Sequence, residues 1–176
     1  METIKTERLL LRRLKKEDVA DMFEYTSDAE TVRLLKWDAH SYIEQTMFFI
    51  ENTLSDYEAA RVNHFVWGIE LTQNHKLIGS VRIFDIDFND KKAEVSYILN
   101  ALYSNNGYMS EAVNAVIRYA FDSINLIRIQ AKCVAENAVS EKVMIKCAMS
   151  FEGLFRKASF IKGEHYDLKY YAITKG

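Results

Sequence analysis

The stretch KAEVSYILNALYSNNGYMSEAVNAVIRYAF, residues 92–121, changes from one structural pattern to another at a polar loop. Its first part, 93–99, is rich in β-branched and aromatic residues, which predicts a β-strand. After Gly107 the apolar side chains recur at helical spacing, which predicts an amphipathic helix. Two asparagines and the glycine stand directly before that helix. We therefore ask whether this loop binds a phosphate group or is only a turn that precedes a helix.

A loop of this kind can bind phosphate because the first turn of a helix has free N–H groups and a partial positive charge. Gly107 accepts positive φ angles without penalty, and Asn105 and Asn106 tolerate them better than most residues. The loop lacks the lysine of a nucleotide-hydrolysing P-loop and the three glycines of a dinucleotide fingerprint. Taken alone, a turn with a helix cap is the simpler interpretation. Its position at the carboxyl end of a strand favours a ligand, because open α/β sheets bind ligands there.

The rest of the chain alternates between helical and strand-like periodicity without a repeat, a low-complexity tract or a linker. We therefore predict one domain over residues 1–176, of mixed α/β class, formed partly by hairpins and partly by crossovers. The predicted order is a strand, two helices, three strands, a helix, a strand, a helix and a closing hairpin. The strands are predicted at 8–14, 65–71, 77–84, 93–99, 126–134, 151–161 and 165–173, and the helices from residue 16, at 42–58, after Gly107 and at 140–149.

The composition is that of a globular protein of 176 residues, with 23 Lys and Arg, 25 Asp and Glu, and a formal net charge of −2. The lack of a basic bias argues against nucleic acid and anionic membranes as partners. No apolar run is long enough for a transmembrane helix, and the first residues lack the apolar core of a signal peptide. Cys133 and Cys147 are the two cysteines, so we expect a reducing, cytoplasmic environment.

Several segments, in order along the chain, match one family. They are "TERLLLRRLKKEDVADMFEYTSDAETVRLL" at the start, the strands "KLIGSVRIF" and "KAEVSYIL", the loop "YSNNGYMSEAV", the late helix "ENAVSEKVMIKCAMSFEG" and the hairpin "KGEHYDLKYYAI". The sequence resembles the GNAT superfamily of acyl-CoA-dependent N-acetyltransferases, and within it the branch that modifies ribosomal-protein N-termini. The resemblance implies a mostly antiparallel sheet, splayed between two parallel strands and flanked by about four helices. It also implies acetyl-CoA as co-substrate and no metal.

The resemblance places acetyl-CoA between the strands 93–99 and 126–134, with its pyrophosphate on the loop before the helix. The main chain of the first strand would hold the pantetheine arm. In the family the loop usually carries Arg, Gln or Trp, then Gly and a basic residue, and a glycine is common where this chain has Ala148. In this chain those three loop places hold a serine and two asparagines. The residues implied to contact the co-substrate are Tyr97, Ile98, Leu99, Ser104, Asn105, Asn106, Gly107, Tyr108, Met109, Ser110 and Asn137.

Acetyl transfer to an amine needs a neutral amine, a donor to the developing oxyanion and a proton for the departing thiolate. Glu94 is a lone charged residue in an otherwise apolar strand. It is either an edge or solvent-facing carboxylate or a general base that acts directly or through water. Its place matches a glutamate that is often given the role of base in the family. Asp85 and Asp87 are the alternatives, and we expect both in a solvated loop.

Asn137 and Ser140 match the family pattern N-x-x-S, although both residue types also cap helices. The resemblance implies that Asn137 bonds the pantetheine arm and that Ser140 faces the sulfur and donates the proton to the thiolate. Many family members use a tyrosine for that step, so Tyr103, Tyr108 and Tyr166 are alternatives.

The remaining reactive side chains have simpler interpretations. Free cysteines are commonly buried and inert, so we do not interpret the two cysteines as acyl-carrying nucleophiles. The 4 histidines show no metal-ligand spacing. The resemblance implies a primary amine as acceptor, first of all a protein N-terminal α-amine. The alternatives are a small-molecule amine (a polyamine, amino acid or antibiotic) and a non-catalytic acyl-CoA-binding module. The oligomeric state stays open, with a homodimer as one option.

Overall fold

In the computed structural model, which describes residues 1–58 and 63–176, eight strands form one sheet and four α-helices pack on it. Two short 3₁₀ helices, Lys16–Asp18 and Ala101–Tyr103, complete the regular structure of these residues. The helices are α1 (Val19–Thr26), α2 (Ile43–Glu58), α3 (Tyr108–Asp122) and α4 (Ala138–Lys146). The strands are β1 (Ile4–Lys5), β2 (Leu9–Arg12), β3 (Phe65–Leu71), β4 (Leu77–Asp87), β5 (Lys92–Leu99), β6 (Arg128–Val134), β7 (Ser150–Ile161) and β8 (Glu164–Thr174).

The strands lie in the order β1-β2-β3-β4-β5-β6-β8-β7, and every neighbouring pair is antiparallel except β5 and β6. The parallel pairing runs from Lys92 opposite Arg128 to Glu94 opposite Gln130 and ends there. Both strands continue beyond this point, so a gap opens between them toward their carboxyl ends. The mostly antiparallel sheet with its splayed parallel pair and four helices confirms the predicted fold class.

The helices cover the sheet on two faces, and the side chains of β5 alternate between them. Val95 and Tyr97 contact the apolar core that includes residues of α3 and α4. Ile98 instead packs on the core formed with α1 and α2. The helical stripe after Gly107 supplies much of the first core: its buried residues are Met109, Ala112, Val113, Ala115, Val116, Ile117 and Ala120.

The prediction for the N-terminal segment is wrong in three details. Strand β1 was not predicted, because two residues are too short to show a period, and it pairs with β2. The strand predicted at 8–14 is only Leu9–Arg12. The helix predicted from residue 16 begins as a 3₁₀ turn, and α1 starts at Val19. The side chain of Asp18 stabilises that turn, because it accepts the main-chain N–H of Lys15 at 2.7 Å.

The late helix was predicted at 140–149 and instead spans Ala138–Lys146. Its start is earlier because Asn137 is the N-cap, and its end is earlier because Ala148 has a φ of 57°. The N–H of Ala148 donates to the carbonyl of Ile145 at 3.0 Å, and the N–H of Met149 donates to that of Met144 at 3.1 Å. These two bonds form a Schellman motif, which terminates a helix.

Two further boundaries differ from the prediction by two residues or more, and the other differences are of one residue. Strand β6 begins at Arg128 rather than at residue 126. Strand β4 continues past Phe84 to Asp87 through an irregularity in its pairing with β5, and Asp85 has a φ of 52° there. Asp85 and Asp87 therefore lie at a bulged strand end and not in the loop in which we expected them.

Candidate active site

The gap between β5 and β6 lies where the predicted strand residues 97–99 leave the parallel pairing. One edge of β5 pairs with β4, through Gly79 opposite Leu99, Ser80 opposite Ile98 and Val81 opposite Tyr97. The other edge of residues 97–99 faces the gap, so its main-chain groups are open to a ligand. An extended chain with amide groups fits such an edge in the way that a peptide adds to a sheet. The donor set of the gap therefore fits the pantetheine arm of an acyl-CoA.

The polar loop leads from the open end of this gap into α3. Gly107 is the N-cap of α3 and has a φ of 80°, with no side-chain cap on the helix. The first helical bond is the N–H of Glu111 donating to the carbonyl of Gly107 at 3.0 Å. The N–H groups of residues 108–110 precede that bond and are free to meet an anion. The loop thus has the donor arrangement that a pyrophosphate needs.

Glu94 lies at the closed end of the gap, in the last residue pair that joins β5 to β6. Its side chain is 6% exposed, and its Oε2 accepts from the ammonium of Lys132 at 2.9 Å and from the amide of Gln130 at 3.5 Å. Among the residues that the structure describes, Oε1 has no hydrogen-bond partner. The alternative of an edge or solvent-facing carboxylate is therefore wrong, because Glu94 is buried in a central strand.

Ser140 and Tyr97 meet on the face of the sheet that carries α3 and α4. The phenol of Tyr97 donates to the carbonyl oxygen of Ser140 at 3.0 Å and lies 3.0 Å from the Ser140 hydroxyl. Asn137 caps α4, since its Oδ1 accepts the N–H of Ser140 at 3.0 Å. The capping interpretation of Asn137 is confirmed, and its contact with the co-substrate stays a prediction.

The relatives of the chain share one activity class. The sequence profile of the acetyltransferase (GNAT) domain matches residues 8–150. The uncharacterized N-acetyltransferase YnaD of Bacillus subtilis is 33% identical over 172 residues, which cover 98% of this chain and 96% of that protein. A GNAT-family acetyltransferase from Bacillus anthracis, known as a crystal structure, is 31% identical, with a TM-score of 0.87 over 98% of both chains. The chain belongs to the GNAT acetyltransferase family.

As a member of that family, the chain is an acetyl-CoA-dependent N-acetyltransferase, which confirms the predicted enzyme class and co-substrate. Two shorter similarities concern relatives with named acceptors. The ribosomal-protein-serine acetyltransferase of Escherichia coli is 30% identical over 97 residues, 55% of this chain and 54% of that protein. The spermidine N(1)-acetyltransferase of Vibrio cholerae is 27% identical over 93 residues, 53% of this chain and 54% of that protein.

Other candidate groups of the acetyltransferase are engaged elsewhere. Asp87 accepts the N–H groups of its own turn, and Tyr166 donates to Glu164 at 3.0 Å. The ring of Tyr108, the first residue of α3, packs against the guanidinium of Arg8. Burial raises the pKa of Cys133 to about 11 and that of Cys147 to about 12, which agrees with inert thiols.

The described residues 1–58 and 63–176 were expected to hold no metal and no transmembrane helix. No three of their His, Cys, Asp and Glu side chains form a group that could hold a metal ion. None of their helices is long and apolar enough to cross a membrane.

The sequence did not indicate two side chains of the site. The phenol of Tyr97 meets Ser140 across 43 positions of the chain, and we had assigned only the main chain of Tyr97. Arg8 reaches Glu111 in the first turn of α3 across 103 positions. Neither pair has a local spacing that would reveal it. One feature of the sequence could have drawn attention to Arg8. The loop lacks the basic residue that is usual in the family, so a basic side chain from another segment can lie beside it.

Proposed function

We propose that the enzyme transfers acetyl from acetyl-CoA directly to a primary amine, and that its acceptor is a protein N-terminal α-amine. In this reaction the amine nitrogen forms a bond to the thioester carbonyl carbon and the carbon–sulfur bond breaks. The amine loses one proton to a base, and the departing thiolate gains one. The observation that carries the proposal is the buried carboxylate of Glu94 at the closed end of the gap.

Glu94 has the geometry of a base that is held in place. Lys132 and Gln130 engage one carboxylate oxygen, which restricts the rotation of the side chain. The other oxygen has no partner in the described part of the chain and can accept a proton from the amine, directly or through one water. Glu94 therefore acts as the general base in this proposal, and Lys132 orients it.

Ser140 takes the role of proton donor to the thiolate, and the co-substrate lies in the gap. The main chain of residues 97–99 binds the pantetheine arm in this proposal, and so does Asn137, the N-cap of α4. The N–H groups at the start of α3 bind the pyrophosphate. The residues of the loop that surround it are Ser104, Asn105, Asn106, Gly107, Tyr108, Met109 and Ser110.

Two arguments support an α-amine over a polyamine. An α-amine has a pKa near 8, against about 10.4 for lysine, so a weak base is enough to make it neutral. The ammonium of Lys132 lies 2.9 Å from Glu94, and Arg82 interacts with both Glu94 and Asp85. Glu94 therefore already has a positive partner, and a single ammonium from a peptide N-terminus adds less positive charge beside it than a polyamine does. The relative with a ribosomal protein as its named acceptor fits the same assignment.

Mass spectrometry with three acceptors tests the proposal. The enzyme is incubated with acetyl-CoA and a peptide with a free N-terminus and no lysine, the same peptide with a blocked N-terminus and one lysine, or spermidine. We expect acetylation of the first peptide at a rate at least tenfold above that of the other two. Acetylation of spermidine in preference to both peptides would overturn the assignment of the acceptor. Absence of any acetylated product and of free CoA would overturn direct transfer.

A further inference from the structure

The guanidinium of Arg8 connects the N-terminal segment to the phosphate loop and to the first turn of α3. Arg8 lies just before β2, its Nε donates to Glu111 Oε2 at 2.7 Å, and one terminal nitrogen lies 2.7 Å from the same oxygen as an ion pair. The other terminal nitrogen donates to the carbonyl oxygen of Asn106 at 2.9 Å. The guanidinium carbon lies 4.5 Å from the centre of the Tyr108 ring. A residue from the N-terminal segment therefore contacts the loop and the first turn of α3 at once.

The bond to Asn106 fixes the direction of the next N–H group. In a trans peptide the C=O and the N–H point in opposite directions. Because the carbonyl of Asn106 is turned toward Arg8, the N–H of Gly107 is turned away from it. Arg8 also packs close to Gly107, because a Cβ added to Gly107 would lie 3.5 Å from a terminal nitrogen of the guanidinium. Arg8 thus holds the backbone at the residue where the loop enters the helix.

Arg8 also removes an electrostatic conflict. Glu111 places a carboxylate in the first turn of α3, close to where the phosphates would bind. A carboxylate without a counter-ion would repel a phosphate that binds beside it. Besides Arg8, the carboxylate accepts the hydroxyl of Thr6 at 2.6 Å and the main-chain N–H of Arg8 at 3.0 Å. The side chain of Arg8 stays 42% exposed, and its bond to the carbonyl of Asn106 places the positive charge beside the loop as well as beside Glu111.

We propose that Arg8 is a positioning residue for acetyl-CoA: it holds the loop backbone and neutralises Glu111, and so replaces the cation that the loop itself lacks. This inference rests on the proposed binding of acetyl-CoA in the gap. The backbone of Arg8 is itself anchored, because its carbonyl accepts both the N–H and the hydroxyl of Thr72 at 3.0 Å. Arg8 therefore transmits a rigid position from the sheet to the loop.

Calorimetry of CoA binding tests the proposal with four variants: Arg8→Gln, Arg8→Lys, Glu111→Gln and the double variant Arg8→Gln/Glu111→Gln. We expect Arg8→Gln to raise the Kd for CoA at least tenfold, because it leaves the Glu111 carboxylate without a counter-ion and frees the loop. Arg8→Lys keeps the charge but lacks the planar fork, so a smaller loss is expected. The double variant should regain at least threefold of the lost affinity, because the repelling carboxylate is gone. A purely structural role would not give this recovery.

Two further measurements separate positioning from general destabilisation. Arg8→Gln should raise the KM for acetyl-CoA while kcat stays within twofold, and turnover of S-acetylpantetheine, which has no phosphates, should be unchanged. The control is Arg128→Gln, since Arg128 also forms a two-pronged ion pair, with Glu152, far from the loop.

The outcomes distinguish the two proposals. If Arg8→Gln binds CoA within twofold of the wild type, or if the double variant is no better than Arg8→Gln, the role of Arg8 is overturned and the proposed function stands. If the wild type binds no CoA, the proposed function fails, and the role of Arg8 fails with it. Should Arg8→Gln unfold, a Kd for Arg8→Lys equal to that of the wild type would overturn the proposal.

Discussion

The phenol oxygen of Tyr97 lies 3.0 Å from both the hydroxyl oxygen and the carbonyl oxygen of Ser140, so two polar contacts join β5 to α4. The phenol donates to the Ser140 carbonyl, and in the contact between the two hydroxyl groups either oxygen can be the donor. Burial raises the pKa of Tyr97 above its ordinary value, so the phenol stays protonated at neutral pH. The pair therefore holds two protons beside the place proposed for the thioester sulfur.

Removing the Ser140 hydroxyl should slow catalysis without weakening the binding of CoA. We expect Ser140→Ala to lower kcat by about tenfold or more, because a proton donor to the thiolate acts in the transition state. Tyr97→Phe should give a smaller loss, because Ser140 keeps its hydroxyl but loses its partner. Initial rates and calorimetry measure the two effects.

Tyr171→Phe is the control, because the Tyr171 phenol also bonds a residue of α4, Glu141, at 2.7 Å. A loss confined to CoA affinity would make Ser140 a binding or capping residue.

A side chain at Gly107 should disrupt the phosphate loop. Gly107 has a φ of 80°, which costs a residue with a Cβ about 1–2 kcal/mol, so a substitution shifts the loop. We expect Gly107→Val to weaken CoA binding by at least about tenfold, or about 1.4 kcal/mol, with the fold intact. Gly163→Val is the matched control, because Gly163 has a φ of 92° in the β7–β8 turn with nothing within 4 Å of a Cβ. Equal CoA affinity of the wild type and Gly107→Val in calorimetry would remove the phosphate-loop proposal.

The sequence predicted the elements that have a strong local pattern. Strand β3 has the predicted bounds, Phe65–Leu71, because its apolar run lies between polar loops. The parallel strands and their crossover helix were also predicted, and with them the place of the gap. The boundaries that failed depend on single conformations. The φ of 57° at Ala148, for example, ends α4 at a residue type that rarely ends a helix this way.

The contacts within the site were beyond the reach of local patterns. Glu94 was recognised as an unusual residue in its strand, but its ion pair with Lys132 depends on the register of β5 against β6. The contact between Arg8 and Glu111 depends on the sheet bringing the N-terminal segment next to α3. A tertiary contact of this kind follows from the whole topology, and a single sequence gives no spacing that specifies it.

Glycine at position 148 should stabilise the protein. Ala148 occupies the left-handed position of the Schellman motif at the end of α4, where a Cβ is strained. We expect Ala148→Gly to raise the free energy of unfolding by about 0.5–1 kcal/mol, part of the strain being offset by the greater freedom of glycine in the unfolded chain. Urea denaturation measures this change. The control Ala138→Gly, at the exposed first residue of the same helix, should lower stability. A destabilising effect of Ala148→Gly would contradict this account of the helix end.

Glu111 should make stability depend on pH in the acid range. Burial alone would raise the pKa of Glu111, but the bonds from the Thr6 hydroxyl and from Arg8 outweigh it and lower the pKa. A carboxyl group with a lowered pKa in the folded state contributes stability that is complete above the unfolded pKa of about 4.3 and is lost as the pH falls through the folded value.

Comparison of the wild type with Glu111→Gln tests this dependence. Their difference in the free energy of unfolding should be constant from about pH 6 to 8 and should shrink as the pH falls below about 4.3. Urea denaturation at a series of pH values measures it. Glu7→Gln, at an exposed neighbouring glutamate, is the control and should show no such change. A difference that grows toward low pH would show that the ionised form of Glu111 is not the one that the fold stabilises.

Glu94 should act as the general base, and its loss should slow catalysis. Glu94→Gln keeps the size of the side chain and an oxygen that can accept from Lys132, but the amide cannot take a proton from the amine. We expect kcat/KM to fall by a factor on the order of 10² to 10⁴, the range of general base catalysis. The loss should shrink at high pH, where more of the acceptor amine is already neutral, and CoA affinity should barely change.

Glu70→Gln is the matched control. Glu70 is 5% exposed and paired with Arg12 and His75, so its loss should lower stability and leave kcat/KM unchanged. Near wild-type turnover of Glu94→Gln across the pH range would show that Glu94 is structural and that another group, or bulk water, deprotonates the amine.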